Sequence, residues 1–134
     1  MTQSHDSLER ALACVGCALD KKASDLVVLE VSELTSLADY FVICTGRSDT
    51  QVQAIAQSIE FNLAQRGTRP LSMEGYTQGQ WVVLDYGDVV VHMFFEPLRE
   101  FYDLERLWAN APRVDLPEPY QSQVRDLRLA QEAR

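Results

Sequence analysis

Apolar residues near the start of the chain follow a helical rhythm. Leu8, Ala11, Leu12, Val15, Ala18 and Leu19 occupy the i, i+3, i+4, i+7 positions of one helix face. Ser7 precedes them as a candidate N-cap. The stripe ends at Asp20-Lys21-Lys22, whose cations suit a helix C-terminus. Gly16 weakens this helix slightly and points to close packing at that position. Residues 26–31 form a β-branched run of strand length. Residues 32–38 are a connector without periodicity. Residues 39–45 are almost continuously apolar, as expected of a strand covered on both faces. After the Gly46-Arg47-Ser48 turn comes the strongest helix pattern, with Val52, Ile55, Ala56, Ile59 and Leu63 facing inward. Ser48 and Gln51 fit a capping box at its start, and Gly67 fits a C′ glycine at its end. Residues 69–73 read as a short strand, which Pro70 confines to an edge or a strand start. Residues 74–79 read as a loop.

The pattern then changes to period two. Residues 81–95 hold two apolar runs around Gly87-Asp88, a pair suited to a two-residue hairpin turn. With the turn placed there, Tyr86 faces Val89, Leu84 faces Val91 and Val83 faces His92. One strand face carries Val82, Leu84, Tyr86, Val89, Val91, Met93 and Phe95, and belongs on the core. The other carries Trp81, Val83, Asp85, Val90, His92 and Phe94, a mixture that a partner can read. Pro97 suits the first turn of a following helix. Its stripe is Leu98, Phe101, Tyr102 (or Leu104), Leu107 and Trp108, ending near Asn110-Ala111-Pro112. Pro112, Pro117 and Pro119 mark residues 112–120 as a linker without stable structure. In the tail, residues 121–134, weak spacing at Val124, Leu127 and Ala130 suits a helix that forms on docking. The expected organisation is one α/β domain over residues 1–111, a mixed sheet flanked by helices, followed by a Pro-rich linker and tail over residues 112–134.

Composition narrows the functional classes. The chain has 134 residues, and 46% are hydrophobic, enough for a core. No apolar run is long enough to cross a bilayer, and the first nine residues lack a secretion pattern, so the expected location is the cytoplasm. The net charge of −8 argues against the chain gripping nucleic acid and suits a basic protein partner. The three cysteines, Cys14, Cys17 and Cys44, read as packed thiols. Cys14-x-x-Cys17 lies inside a helical pattern rather than after a strand, and no second close pair completes a metal set.

Each chemical candidate has a plainer reading beside it. Gly46-Arg47-Ser48 is placed to bind phosphate at a helix N-terminus, but a turn with a cap explains the same residues. Asp85 and Asp88 are the carboxylates available for metal-dependent nucleotidyl transfer. They lack the i, i+2 spacing that aligns two on one strand face, and are expected to diverge. Asp85 and His92 share a face diagonally, two-thirds of a hydrolytic triad, yet no nucleophile with an elbow motif accompanies them. Asp88 reads as a turn residue. Trp81, Asp85, His92, Arg99 and Tyr102 together read as one mixed surface patch of the type that anchors interfaces. Trp81 and Arg99 are expected to be removable together without harm to the fold.

Three motifs carry a family resemblance. Asp39-Tyr-Phe-Val-Ile-Cys-Thr-Gly46, Trp81-Val-Val-Leu-Asp-Tyr-Gly-Asp-Val-Val-Val-His92 and Arg99-x-x-Tyr-x-Leu-Glu-x-Leu-Trp108 resemble the ribosomal silencing factor family, also called the Iojap family. The likeness spans residues 8–111 and leaves residues 112–134 outside. It implies a nucleotidyltransferase-like core without the catalytic carboxylates, no enzymatic activity, and no cofactor or metal. It implies binding to ribosomal protein uL14 on the large ribosomal subunit, steric block of subunit association, and repression of translation. The proposed contact residues are Trp81, Asp85, His92, Arg99 and Tyr102. The alternative is a nucleotide-binding or nucleotidyltransferase-like enzyme using the Gly46-Ser48 turn. An apolar sheet edge or the helix face around Phe101 leaves room for a homodimer.

Overall fold

A computed structural model describes residues 2–132, with side-chain surroundings from Asp6 onward. The elements in chain order are α1 (Thr2–Asp20), β1 (Ser24–Glu30), β2 (Tyr40–Gly46), α2 (Asp49–Gln65), β3 (Ser72–Glu74), β4 (Trp81–Asp85), β5 (Val89–Phe95), α3 (Glu96–Tyr102), α4 (Leu104–Leu107) and α5 (Tyr120–Glu132). The strands form one five-stranded sheet in the order β1-β2-β5-β4-β3. Only β2 and β5 pair in parallel; the other neighbours are antiparallel. The fold is therefore α/β with a mixed sheet, as the pattern predicts.

The hairpin has the predicted register, with Leu84 opposite Val91 and Val83 opposite His92. The Tyr86 N–H donates to the Val89 carbonyl at 2.9 Å. Gly87 takes φ +91° at the first central position, where a side chain would be strained. Both faces of the sheet are clothed. On one, Val28, Val42, Cys44, Leu84, Val91 and Met93 pack with the inward stripes of α1 and α2. On the other, Leu29, Phe41, Ile43 and Phe94 pack with Leu98, Leu104 and Trp108. This two-sided burial accounts for the unbroken apolar run of β2, which is buried along its whole length.

Four expectations need correction. The first helix begins at Thr2, so Ser7 is not its cap. Ser7 is buried, and its hydroxyl lies 2.8 Å from both the Asp39 and the Asp88 carboxylates. Arg10 pairs with Asp88 at 2.5 Å, and the Asp88 carbonyl accepts from the N–H groups of Asp39 and Tyr40. Asp88 is thus more than a turn residue: it ties α1 and β2 to the hairpin. Second, the helix after Pro97 is broken. Asp103 adopts a left-handed conformation (φ 49°), and the chain turns there before α4. The break interrupts the stripe, so Phe101 and Leu107 are 76% and 74% exposed while Leu104 is buried.

Third, residues 112–114 are not a free linker. The Glu30 N–H donates to the Pro112 carbonyl at 2.8 Å, and the Val114 N–H to the Val28 carbonyl at 2.9 Å. The segment shields the outer edge of β1, a place where unpaired N–H and C=O groups invite aggregation. Fourth, the short strand is Ser72–Glu74, starting three residues later than read, because Pro70 has no N–H to give to the ladder. It lies at the sheet edge. The tail does form a helix, α5, which packs Tyr120, Val124 and Leu127 on the core. Gly16 of α1 faces Tyr120 of α5. A Cβ there would lie 3.2 Å from the Tyr120 ring, so glycine makes the notch that Tyr120 fills.

The docked tail half-buries Val114, Leu116, Tyr120, Val124 and Leu127. Deleting residues 112–134 is therefore expected to lower stability by roughly 3–5 kcal/mol, taking about half the full burial value for each side chain. The urea midpoint measures this. An unchanged midpoint would show that the tail adds nothing to the fold.

Candidate partner-binding face

Alternation along β4 and β5 sets the composition of one sheet face. Trp81, Val83, Asp85, Val90 and His92 lie on it, each half-buried. Phe94 belongs to the same face but is fully buried, contrary to its reading as part of an open surface. It is covered from above. Trp81 stacks on it at 5.0 Å, and Tyr102, arriving from α3, lies 4.5 Å from Trp81 and 6.1 Å from Phe94 between ring centroids. Phe101 meets Tyr102 edge-on at 5.0 Å. The result is a two-layer aromatic cluster: Phe94 fills the lower layer, and Trp81 with a 41% exposed Tyr102 forms the upper one.

His92 continues this cluster along the strand. Its Nδ1 accepts a hydrogen bond from the Trp81 indole N–H at 3.2 Å. Phe41 packs edge-on against its ring at 5.2 Å. Burial pushes the imidazole down from 6.5 to about 4, and the Asp85 carboxylate only partly offsets this. His92 is neutral at pH 7. Asp85 spends one oxygen on the Gly87 N–H at 2.8 Å, so the Asp-His pair is not joined as a catalytic dyad.

The structure brings together Trp81, Asp85, His92 and Tyr102, and sets Arg99 apart. Arg99 is only 8% exposed. Its Nη1 donates to the Thr45 hydroxyl at 2.7 Å, and its Nε and Nη2 donate to the two Glu105 oxygens at 3.1 and 2.8 Å. These bonds hold the Glu105 carboxyl below the usual range. Arg99 thus pins α3 and α4 to β2 from within, so removing it with Trp81 is expected to cost stability and not only a surface contact. No sequence spacing signals the Arg99–Glu105 pair, because six residues do not return to the same side of a regular helix. The break at Asp103 creates it.

The other candidates resolve into structural roles. At the Gly46–Ser48 turn, the Gln51 N–H donates to the Ser48 hydroxyl at 3.0 Å and the Arg47 N–H to the Gln51 side chain at 2.7 Å. The Thr50 N–H donates to Asp49 at 2.7 Å. An acid in the first turn and donors already engaged leave a cap rather than an anion cradle. A Cβ on Gly46 would come within 2.8 Å of Val52, so this glycine serves helix packing. Asp85 and Asp88 diverge, as expected: one serves the hairpin turn, the other faces Ser7 and Arg10 of α1. Cys14, Cys17 and Cys44 are buried free thiols, and burial pushes Cys44 up to about 12. No helix among the described residues is long and apolar enough to cross a membrane.

Comparison with known proteins adds a family. Residues 4–134 match the model described as "Ribosomal silencing factor during starvation". The likeness therefore includes residues 112–134, which the three motifs had left outside. The chain is 45% identical over 105 residues to ribosomal silencing factor RsfS of Bacillus subtilis (strain 168), covering 78% of this chain and 88% of that one. It is 36% identical over 121 residues to Protein Iojap, chloroplastic, of Arabidopsis thaliana, covering 90% of this chain and 50% of that one. A crystal structure of a Chromobacterium violaceum protein matches with a TM-score of 0.75 at 35% identity, over 83% of this chain and 89% of that one. One from Bacillus halodurans matches with a TM-score of 0.70 at 40% identity, over 84% and 99%.

Two outcomes follow from the geometry. Arg99→Ala is expected to lower stability by about 3 kcal/mol, because it strands Glu105 and the Thr45 hydroxyl; a urea midpoint equal to wild type would contradict this. Because the His92 pKa is lowered on folding, the unfolded chain takes up a proton below pH 6.5 that the folded chain refuses until about 4. Stability should therefore fall across that window as pH drops, and His92→Gln should flatten the fall. Parallel curves of urea midpoint against pH for the two proteins would show that His92 is not the group responsible.

Proposed function

The chain belongs to the ribosomal silencing factor family, and from that premise we propose that it represses translation by binding the large ribosomal subunit. In this reading it docks on ribosomal protein uL14 and occupies space that the small subunit needs. The mechanism is steric competition in the cytoplasm. It forms and breaks no covalent bond, and needs no cofactor.

The observation that carries this reading is the Trp81-Tyr102-His92 cluster beside Asp85. Large aromatic groups held rigidly at a surface lose little conformational entropy on binding and supply apolar contact, which is why they dominate interface energetics. Their rigidity here comes from below, through Phe94 and the Arg99 anchor. Trp81, Asp85, His92 and Tyr102 are the contact residues, with Arg99 acting beneath them. A net charge of −8 suits contact with the surface of a basic protein and disfavours contact with bare RNA. Phe101, exposed on α3 and edge-on to Tyr102, borders the same face, and Leu107 is exposed on α4. A homodimer built on them would have to leave this face free, or dissociate before the ribosome is bound.

The test is sedimentation with purified large subunits. Wild type is expected to co-sediment and to slow subunit joining followed by light scattering. Trp81→Ala and Tyr102→Ala should each weaken binding about 10- to 100-fold, the range of an interface anchor, with circular dichroism unchanged. Wild-type binding by both folded variants would rule out this face.

A further inference from the structure

His92 holds a feature that its role as a face residue does not require. An imidazole with one nitrogen accepting a hydrogen bond carries its proton on the other. The Trp81 indole has only an N–H to give, and it gives it to Nδ1 at 3.2 Å. The remaining proton is therefore on Nε2. Among the described residues, the buried polar side-chain atoms left without a partner belong to Tyr86 and Asp88. Among the described residues Nε2 of His92 makes no hydrogen bond, and it is not one of those fully enclosed atoms, so it keeps some exposure on the half-buried face. The ring is also fixed in plane, by Phe41 edge-on at 5.2 Å and by Phe94, nearly parallel at 6.4 Å. A single N–H vector leaves the face at a set position and angle.

We infer that His92, positioned by Trp81, is a specificity residue that donates its Nε2–H to an uncharged acceptor, a main-chain carbonyl, on the bound protein. This rests on the proposed docking to uL14 and adds the chemistry of one contact. The choice of acceptor follows from the surroundings. A neutral N–H donor cannot accept from a partner's lysine or arginine. The charged group acting on His92 is the Asp85 carboxylate, which repels a phosphate or a second carboxylate. A carbonyl satisfies both conditions. Trp81 thus has two roles: it offers its ring to the partner and fixes the tautomer of its neighbour.

Two measurements test the inference. Long-range nitrogen–proton NMR of the intact protein at pH 7 should report His92 protonated on Nε2 alone. In Trp81→Phe, which keeps an aromatic ring but loses the N–H, both tautomers should appear. Affinity for purified uL14 is then compared among wild type, His92→Gln and His92→Asn. The glutamine amide reaches the Nε2 position and the asparagine amide does not. Gln should bind within about 2-fold of wild type, and Asn about 5- to 10-fold more weakly, the loss of one neutral hydrogen bond. Ribosomal RNA alone should show no His92 dependence. A His92 protonated on Nδ1 or charged at pH 7 would overturn the inference, as would equal binding by folded Gln and Asn variants. A His92-dependent affinity for RNA would overturn the choice of a protein carbonyl. If wild type itself fails to bind uL14, the docking reading falls and the carbonyl contact with it; the NMR result reports on the tautomer separately.

Discussion

One guanidinium governs how the outer layer sits on the sheet. Arg99 reaches from α3 to the Thr45 hydroxyl on β2 and grips Glu105 on α4 with two parallel bonds. Burying a charge is costly unless it is paired and its donors are used. Here a carboxylate and a hydroxyl meet it, and the left-handed Asp103 lets α4 return to bring the carboxylate there. Two very short helices, which would not hold their shape alone, are thereby fixed against the sheet. Tyr102, the last residue of α3, is set over Trp81 as a result. The aromatic cluster depends on this buried pair, although Arg99 itself is hidden from a partner.

The same arrangement explains why a face is left open. On the α1 and α2 side, long helices cover the sheet, and the tail helix adds to their packing. On the other side, α3, α4 and the residues up to Ala111 pack over Leu29, Phe41, Ile43 and Phe94. The outer residues of β4 and the middle of β5 remain only half-buried. Apolar and polar groups meet there at a rigid, partly dry surface. Binding energy is gained where such a surface needs little ordering. The face is therefore built by incomplete coverage of a two-sided sheet, and no separate pocket is required.

Much of this was legible in the chain. The period-two runs around Gly87-Asp88 located the hairpin and its register, because a tight turn leaves one pairing that keeps the apolar set together. The capping residues and Gly67 bounded α2 correctly, since those signals are local. The Trp81-His92 contact is a diagonal pair that follows from the register. What the pattern hid were bonds between residues far apart. Ser7 looked like a cap, but its hydroxyl serves Asp39 and Asp88, 32 and 81 positions away. Arg99 looked like a surface cation, because nothing local announces that Asp103 will break the helix and return Glu105. The prolines suggested a loose linker, yet Pro112 retains a carbonyl, and β1 has an N–H that needs an acceptor.

The proposed contact of the Trp81-Tyr102-His92 face with the ribosome is open to direct measurement. Hydrogen exchange of the intact protein, alone and with a saturating excess of large subunits, addresses it without altering any residue. New protection is expected in the outer positions of Trp81–Asp85 and Val89–Phe95 and in Glu96–Tyr102, with the Asp49–Gln65 helix unchanged. Protection confined to the Asp49–Gln65 helix or to the Tyr120–Glu132 helix, with β4 and α3 unaffected, would contradict it.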